Sequence, residues 1–153
     1  MNKFDLKSIA ENLIETFNSA GDESIKLYKE GLKIEIKEDK SPVSNGDLKI
    51  NEMISSKISQ LTPNIPIISE ETVDLKKKNK SKIFWLIDPI DGTKELINGS
   101  DEFTLNIALI NNQKPILGAI YQPMKDSIFL GGTDLRPKKI INEKIEFLSS
   151  KNN

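Results

Sequence analysis

The sequence contains no cysteine and no histidine. Without cysteine there is no disulfide, no thiolate nucleophile and no cysteine-based zinc site. Without histidine there is no Ser-His-Asp triad and no imidazole general base. An enzyme with this composition must rely on carboxylates, lysine, hydroxyl groups or a cofactor. Because carboxylate oxygens are preferred ligands of hard cations, the composition favours magnesium chemistry over thiol or imidazole chemistry.

The chain also lacks a strong net charge and long apolar runs. Its formal net charge of −1 gives no bulk attraction to nucleic acid or to an anionic membrane, so no nucleic-acid partner is expected. The first residues contain no apolar segment typical of a signal peptide, and no apolar run reaches the length of a membrane span. These absences favour a cytoplasmic protein. The length of 153 residues fits one domain.

Periodic apolar residues predict two helices followed by several strands. The first helix ends at Gly31, and the second spans 47–61 with one buried face. Alternating or continuous apolar runs predict five strands and a sixth short one, at 32–36, 66–69, 83–88, 104–110, 115–122 and 127–130. This order predicts an α+β fold in which two helices pack on one mostly antiparallel sheet.

Two segments lack such a pattern. Residues 133–153 are expected to form a weakly patterned C-terminal tail after a domain at 1–132. The basic run at 76–82 is expected to be a solvated loop, and attraction of an anionic substrate is the alternative interpretation.

Acidic residues are concentrated where predicted strands end. Glu70 follows one short strand, and Asp88 and Asp91 follow the next. Pro89 stiffens the turn between the two aspartates, so that both carboxylates and the Ile90 carbonyl can point the same way. Residues after the turn open a short helix, whose free N–H groups suit a phosphate. The pattern predicts a magnesium and phosphate site. A polar turn with capping acids is the alternative interpretation.

Three segments resemble the signature motifs of the inositol monophosphatase superfamily. They are Trp-Leu-Ile-Asp-Pro-Ile-Asp-Gly-Thr at 85–93, Ser-Glu-Glu at 69–71 and Asp-Lys-Ser-Pro-Val-Ser-Asn-Gly-Asp at 39–47. Further segments at 61–63, 94–95, 101–110 and 114–118 are similar to the CysQ-type 3′(2′),5′-bisphosphate nucleotidases of that superfamily. The resemblance extends to about Gly132. It implies the layered N-terminal domain of the inositol monophosphatase-like (sugar phosphatase) fold.

The resemblance also implies a role for each matching residue. Glu70, Asp88 and the Ile90 carbonyl would hold one Mg²⁺, and Asp88 with Asp91 would hold a second. Asp47 would bond Thr93, and Thr93 with Glu70 would orient the attacking water. Asp91 and the backbone N–H groups of Gly92 and Thr93 would contact the substrate phosphate. The implied reaction is hydrolysis of the 3′-phosphate of adenosine 3′,5′-bisphosphate by two-metal activation of water. The resemblance adds peripheral association with the bacterial inner membrane as an alternative location.

One departure from the family pattern bears on activity. Family members carry a second domain of similar size, with a Trp-Asp-x-Ala-Ala-Gly motif whose aspartate is a further metal ligand. This sequence has one tryptophan, Trp85, and no such motif. Three hypotheses therefore stay open: an active phosphatase, an inactive metal-binding remnant, and a half completed by self-association or by a partner chain. The sequence does not choose between nucleotide, inositol phosphate and sugar bisphosphate substrates.

Overall fold

The computed structural model describes residues 5–72 and 80–149. Helix α1 spans Leu6–Glu30 and helix α2 spans Asn45–Leu61. The Asp5 side chain caps α1 by accepting a bond from the Ser8 N–H at 3.0 Å. A reciprocal capping box between Ser44 and Asp47 begins α2. α1 ends at Gly31, whose φ of 95° is readily accessible only to glycine.

The strands form a small hairpin and one large sheet. β1 (Ile34–Ile36) and β2 (Pro42–Ser44) form the antiparallel hairpin. The large sheet contains β3 to β9 in chain order, with β3 parallel to β4 and the other neighbours antiparallel. Its strands are β3 (Ile67–Ser69), β4 (Ile83–Asp91), β5 (Thr104–Asn111), β6 (Lys114–Gln122), β7 (Ser127–Gly132), β8 (Leu135–Ile141) and β9 (Lys144–Phe147). A short helix, α3 (Thr93–Ile97), follows β4.

The two long helices cover one face of the large sheet. Buried apolar residues from both layers form a single core, which includes Phe17, Ile54, Trp85, Leu105 and Leu117. The strands alternate, so the opposite face also carries apolar side chains, but these are exposed. Leu86 and Ile120 are each 47% exposed on that face, and Phe129 is 36% exposed. We call this surface, formed by β4 to β8 on the side away from α1 and α2, the open face.

The predicted α+β architecture of two helices on a mostly antiparallel sheet is confirmed. The expectation of a weakly patterned tail from residue 133 is wrong, because β8 and β9 extend the sheet there. β9 alternates polar and apolar residues over only four positions and is exposed along its whole length, so its pattern is too short to indicate a strand. A further strand, β2, was not predicted; it begins at Pro42 in the edge position of a two-stranded hairpin, where a missing N–H is tolerated.

Part of the basic run at 76–82 lies outside the described residues. Among the residues that are described, no helix is long and apolar enough to cross a membrane.

Candidate metal and phosphate site

The acidic ends of β3 and β4 lie side by side. Ser69 pairs with Ile87 in the parallel register of the two strands, and the Glu70 N–H donates to the Ile87 carbonyl at 3.1 Å. This pairing places Glu70 next to Asp88, as expected for carboxylates at neighbouring strand ends. Between Asp88 and Asp91 the register of β4 against β5 shifts, so the chain bulges at the Asp-Pro-Ile-Asp turn. Such bulges redirect side chains at sheet ends.

Asp88 is the most perturbed acid of this cluster. Its Oδ1 atom is buried and has no hydrogen-bond partner among the residues that the structure describes. Burial of the carboxyl raises its pKa to about 7, with further increases from the hydrogen bond and charge of Glu70 and from the charges of Asp91 and Asp47. At neutral pH the Asp88 carboxyl is therefore partly protonated in the metal-free protein, and a cation bound there would displace that proton.

The substitution Asp88→Asn is expected to stabilise the metal-free protein. Because the folded pKa of about 7 exceeds the ordinary 3.8, the penalty of ionising Asp88 is absent below pH 4, grows up to pH 7 and is complete above it. Asp88 is only half-buried and solvent screens its charge, so we expect a melting temperature roughly 2–4 °C higher at pH 8, equivalent to about 1 kcal/mol. The gain should be smaller at pH 5. The measurement is thermal melting at pH 5 and pH 8. An equal rise in melting temperature at both pH values would show that the stabilisation does not come from the ionisation of Asp88.

Asp47 holds Thr93 in place from the other side of the site. The Thr93 hydroxyl donates to Asp47 Oδ1 at 2.7 Å, as the motif resemblance implies, and lies 3.3 Å from the Ile90 carbonyl oxygen. The second oxygen of Asp47 accepts bonds from the Ser44 N–H at 2.8 Å and the Ser44 hydroxyl at 2.6 Å. Asp47 is fully buried, so its carboxylate is fixed by these bonds and in turn fixes Thr93.

Gly92 forms the sharp turn between β4 and α3. Its φ is 93°, and a Cβ atom there would lie 3.0 Å from the Glu102 carbonyl oxygen. Glycine is therefore required both by the backbone conformation and by the close approach of a neighbouring strand end.

Lys37 is a site residue that the sequence pattern did not indicate. Its Nζ atom lies 3.0 Å from a Glu71 carboxylate oxygen and 4.0 Å from Glu70. Burial alone would lower the pKa of Lys37, but the bond to Glu71 and the charges of Glu71, Glu70 and Asp47 outweigh it and raise the pKa. Burial raises the pKa of Glu71. The hydrogen bond and the charge of Lys37 lower that pKa, but they offset the effect of burial only in part. Lys37 thus supplies a fixed positive charge to an acidic site. A single lysine after β1 carries no sequence signal of this contact.

The structure brings the predicted site residues together in pairs rather than around one common point. Glu70 meets Asp88, Asp91 lies within electrostatic reach of Asp88, and Asp47 bonds Thr93. Asp91 is exposed, and the Asn106 amide lies 3.5 Å from its carboxylate. Within residues 5–72 and 80–149, no three carboxylates already surround a common point suited to a cation. Simultaneous convergence of Glu70, Asp88 and Asp91 therefore stays a prediction.

Comparison with known proteins adds a family match. The model of the inositol monophosphatase family matches residues 5–147. Curated relatives named 3′(2′),5′-bisphosphate nucleotidase CysQ include those of Aggregatibacter actinomycetemcomitans, 34% identical over 79% of this chain, and Salmonella typhimurium, 38% identical over 74% of it. The match covers 46% and 48% of those two proteins. The chain thus spans about half the length of the curated relatives that it matches.

Solved structures give the same picture of the fold. The extragenic suppressor protein suhB of Bartonella henselae superposes with a TM-score of 0.76 at 24% identity, over 90% of this chain and 53% of its own. A staphylococcal inositol monophosphatase superposes with a TM-score of 0.75 at 20% identity, over 95% of this chain and 52% of its own. At such identities the likeness concerns the fold alone.

Proposed function

Because this chain belongs to the inositol monophosphatase family, we propose that it is the metal-binding half of a magnesium-dependent phosphomonoesterase. Its proposed reaction is hydrolysis of the 3′-phosphate of adenosine 3′,5′-bisphosphate to AMP and phosphate. The names of its CysQ relatives support this substrate class. The observation that carries the proposal is the buried oxygen of Asp88 beside Glu70, which finds no hydrogen-bond partner within residues 5–72 and 80–149. A buried polar atom without a partner is costly in a purely structural turn, whereas a cation would satisfy it.

The donor set suits Mg²⁺. Glu70, Asp88 and the Ile90 carbonyl would hold one ion, and Asp88 with Asp91 would hold a second, all through the oxygen atoms that Mg²⁺ prefers. When bound, such ions lower the pKa of a water nucleophile and stabilise the charge on the leaving oxygen.

The residues around the ions have separate tasks in this proposal. The proton of the Thr93 hydroxyl is committed to Asp47, so the Thr93 oxygen can only accept a bond, and it would orient a water molecule by accepting one of its protons. Glu70 would accept the other proton. Asp91 and the backbone N–H groups of Gly92 and Thr93 would contact the phosphate, because the turn at Gly92 presents main chain without a side chain in the way.

Magnesium is expected to stabilise the chain. At about 100 times its Kd, Mg²⁺ should add about 2.7 kcal/mol, which corresponds to a melting temperature roughly 5–10 °C higher. Asp88→Asn should remove this response, whereas Asp22→Asn on the exposed side of α1 should keep it. The measurement is thermal melting against Mg²⁺ concentration. Absence of a response in the wild type would argue against the site, and an equal response in Asp88→Asn would place it elsewhere.

We further propose that the open face packs against the remaining half of the family fold. The open face borders a cavity of about 750 Å³ whose lining includes Leu86, Ile120 and Phe129 and also Asp88 and Asp91. A layer of structure packed on the open face would bury these apolar side chains and would also shield the Asp88 and Asp91 carboxylates from solvent. Relatives about twice as long as this chain support such a layer. Self-association through the same face is the alternative, and an inactive remnant would result if nothing covers it.

A further inference from the structure

Two buried side-chain hydrogen bonds attach β3 and β4 to helix α2, one at Asn51 within the helix and one at its C-cap residue Thr62. Near the acidic end, the Ser69 hydroxyl donates to Asn51 Oδ1 at 2.5 Å. At the far end, the Trp85 indole N–H donates to the Thr62 hydroxyl at 2.9 Å. All four residues are buried, so each bond is made away from solvent. The roles proposed above account for neither bond.

The bond to Asn51 controls the turn that carries Glu70. Ser69 is the last residue of β3, its hydroxyl accepts from the Glu71 N–H at 3.3 Å, and its carbonyl accepts from the Thr72 N–H at 3.1 Å. The Glu70 side chain is 56% exposed and has little packing to hold it. The placement of its carboxylate therefore depends on the backbone, which is held by the bond of the Glu70 N–H to the Ile87 carbonyl and by the contacts of Ser69.

Asn51 lies one helical turn after Asp47 on the same buried side of α2. Asp47 holds Thr93 through its carboxylate, and Asn51 holds the strand end that precedes Glu70. One rigid turn of α2 therefore sets the spacing between Thr93 and Glu70, the two groups proposed to orient the water.

We infer that Asn51 is a positioning residue, which acts through Ser69 to place the Glu70 carboxylate against Asp88. This inference rests on the proposed metal site. If the Asn51–Ser69 bond is lost, the turn at 69–72 keeps its backbone bond to Ile87 but loses its side-chain anchor to α2, and the Glu70 carboxylate shifts relative to Asp88. Removal of a residue that orients a metal ligand without contacting the metal typically lowers the metal affinity about 10–100-fold.

The test compares the removal of the Asn51–Ser69 bond with the removal of the Thr62–Trp85 bond. Asn51→Ala and Ser69→Ala remove the bond near Glu70, and Thr62→Val removes the bond to Trp85. All three should lower the melting temperature by comparable amounts without Mg²⁺. Only Asn51→Ala and Ser69→Ala should raise the apparent Kd for Mg²⁺, by about tenfold, as measured from melting temperature against Mg²⁺ concentration. The variant that combines Asn51→Ala and Ser69→Ala should raise the Kd for Mg²⁺ no further than either single variant does, because both substitutions remove the same bond.

Two results would overturn the positioning role. One is an unchanged Mg²⁺ Kd in Asn51→Ala and Ser69→Ala despite their lower stability. The other is an equal weakening by Thr62→Val, which would indicate a general effect of destabilisation. A wild-type chain that does not respond to Mg²⁺ at all would refute the proposed metal site itself, and this inference with it.

Discussion

Supplying the remaining half of the family fold is expected to raise phosphate release by this chain about 10²–10³-fold. Alone, the chain leaves the exposed Asp91 and the open face in contact with water. Water weakens every electrostatic contact with a phosphoryl group, and the cavity beside Asp88 and Asp91 stays open to solvent, so it would enclose a nucleoside only in part. A misplacement of the ester by about 1 Å alone can cost on the order of a hundredfold in rate. The isolated chain should therefore hydrolyse adenosine 3′,5′-bisphosphate weakly at most.

The experiment is a phosphate-release assay at fixed Mg²⁺ on residues 1–153, alone and co-expressed with the C-terminal half of the Salmonella typhimurium relative. Ile120→Glu on the open face should block the gain, because a charge would be buried in the contact. Ile145→Glu is the matched control, because Ile145 is similarly exposed but lies on the helix side of β9. Full turnover from the isolated monomer would contradict the need for a second half. If co-expression still increases phosphate release in Ile120→Glu, the two halves make contact through another surface.

Removal of the Thr93 hydroxyl is expected to produce the second large loss. Thr93→Val keeps the shape of the side chain but removes the oxygen that Asp47 orients, so we expect kcat to fall about 10²–10⁴-fold in the completed enzyme. KM should change little, because the hydroxyl acts on water rather than on the nucleoside. Loss of one hydrogen bond should cost only about 1 kcal/mol of stability.

Thr93→Ser is the matched control for this substitution. Serine retains a hydroxyl that can donate to Asp47, and it should keep most of the activity. Steady-state kinetics with thermal melting of each variant separates the chemical effect from unfolding. Equal activity of Thr93→Val and the wild type, or equal loss in Thr93→Ser and Thr93→Val, would show that the hydroxyl does not orient the nucleophile.

Local patterns predicted the elements with a strong apolar period. Ile50, Ile54 and Ile58 repeat at helical spacing and are all fully buried in α2. The apolar run that ends at Asp88 predicted β4, although the strand continues through Asp88 to Asp91. Edge elements were missed because they are short and bury little. β9 has four residues, all of them exposed, and the three-residue strand β2 begins at a proline.

The contacts that build the site were harder to predict. Asp47 and Thr93 are 46 positions apart, and only the family motifs linked them before the structure showed their bond. Lys37 and Asn51 gave no signal, because a lysine in a loop and an asparagine in a helix are ordinary residues until the fold supplies Glu71 and Ser69 as partners. Pairing of this kind depends on tertiary structure rather than on local propensity.

The most direct test of the metal-binding site is the position of a divalent cation in crystals of the chain grown with Mn²⁺, located by its anomalous scattering. We expect a peak in contact with the carboxylates of Asp88 and Glu70 and with the Ile90 carbonyl oxygen, and loss of that peak in Asp88→Asn. A cation bound elsewhere, or Asp88 still in contact with Glu70 and no cation between them at saturating Mn²⁺, would contradict a metal site at these residues.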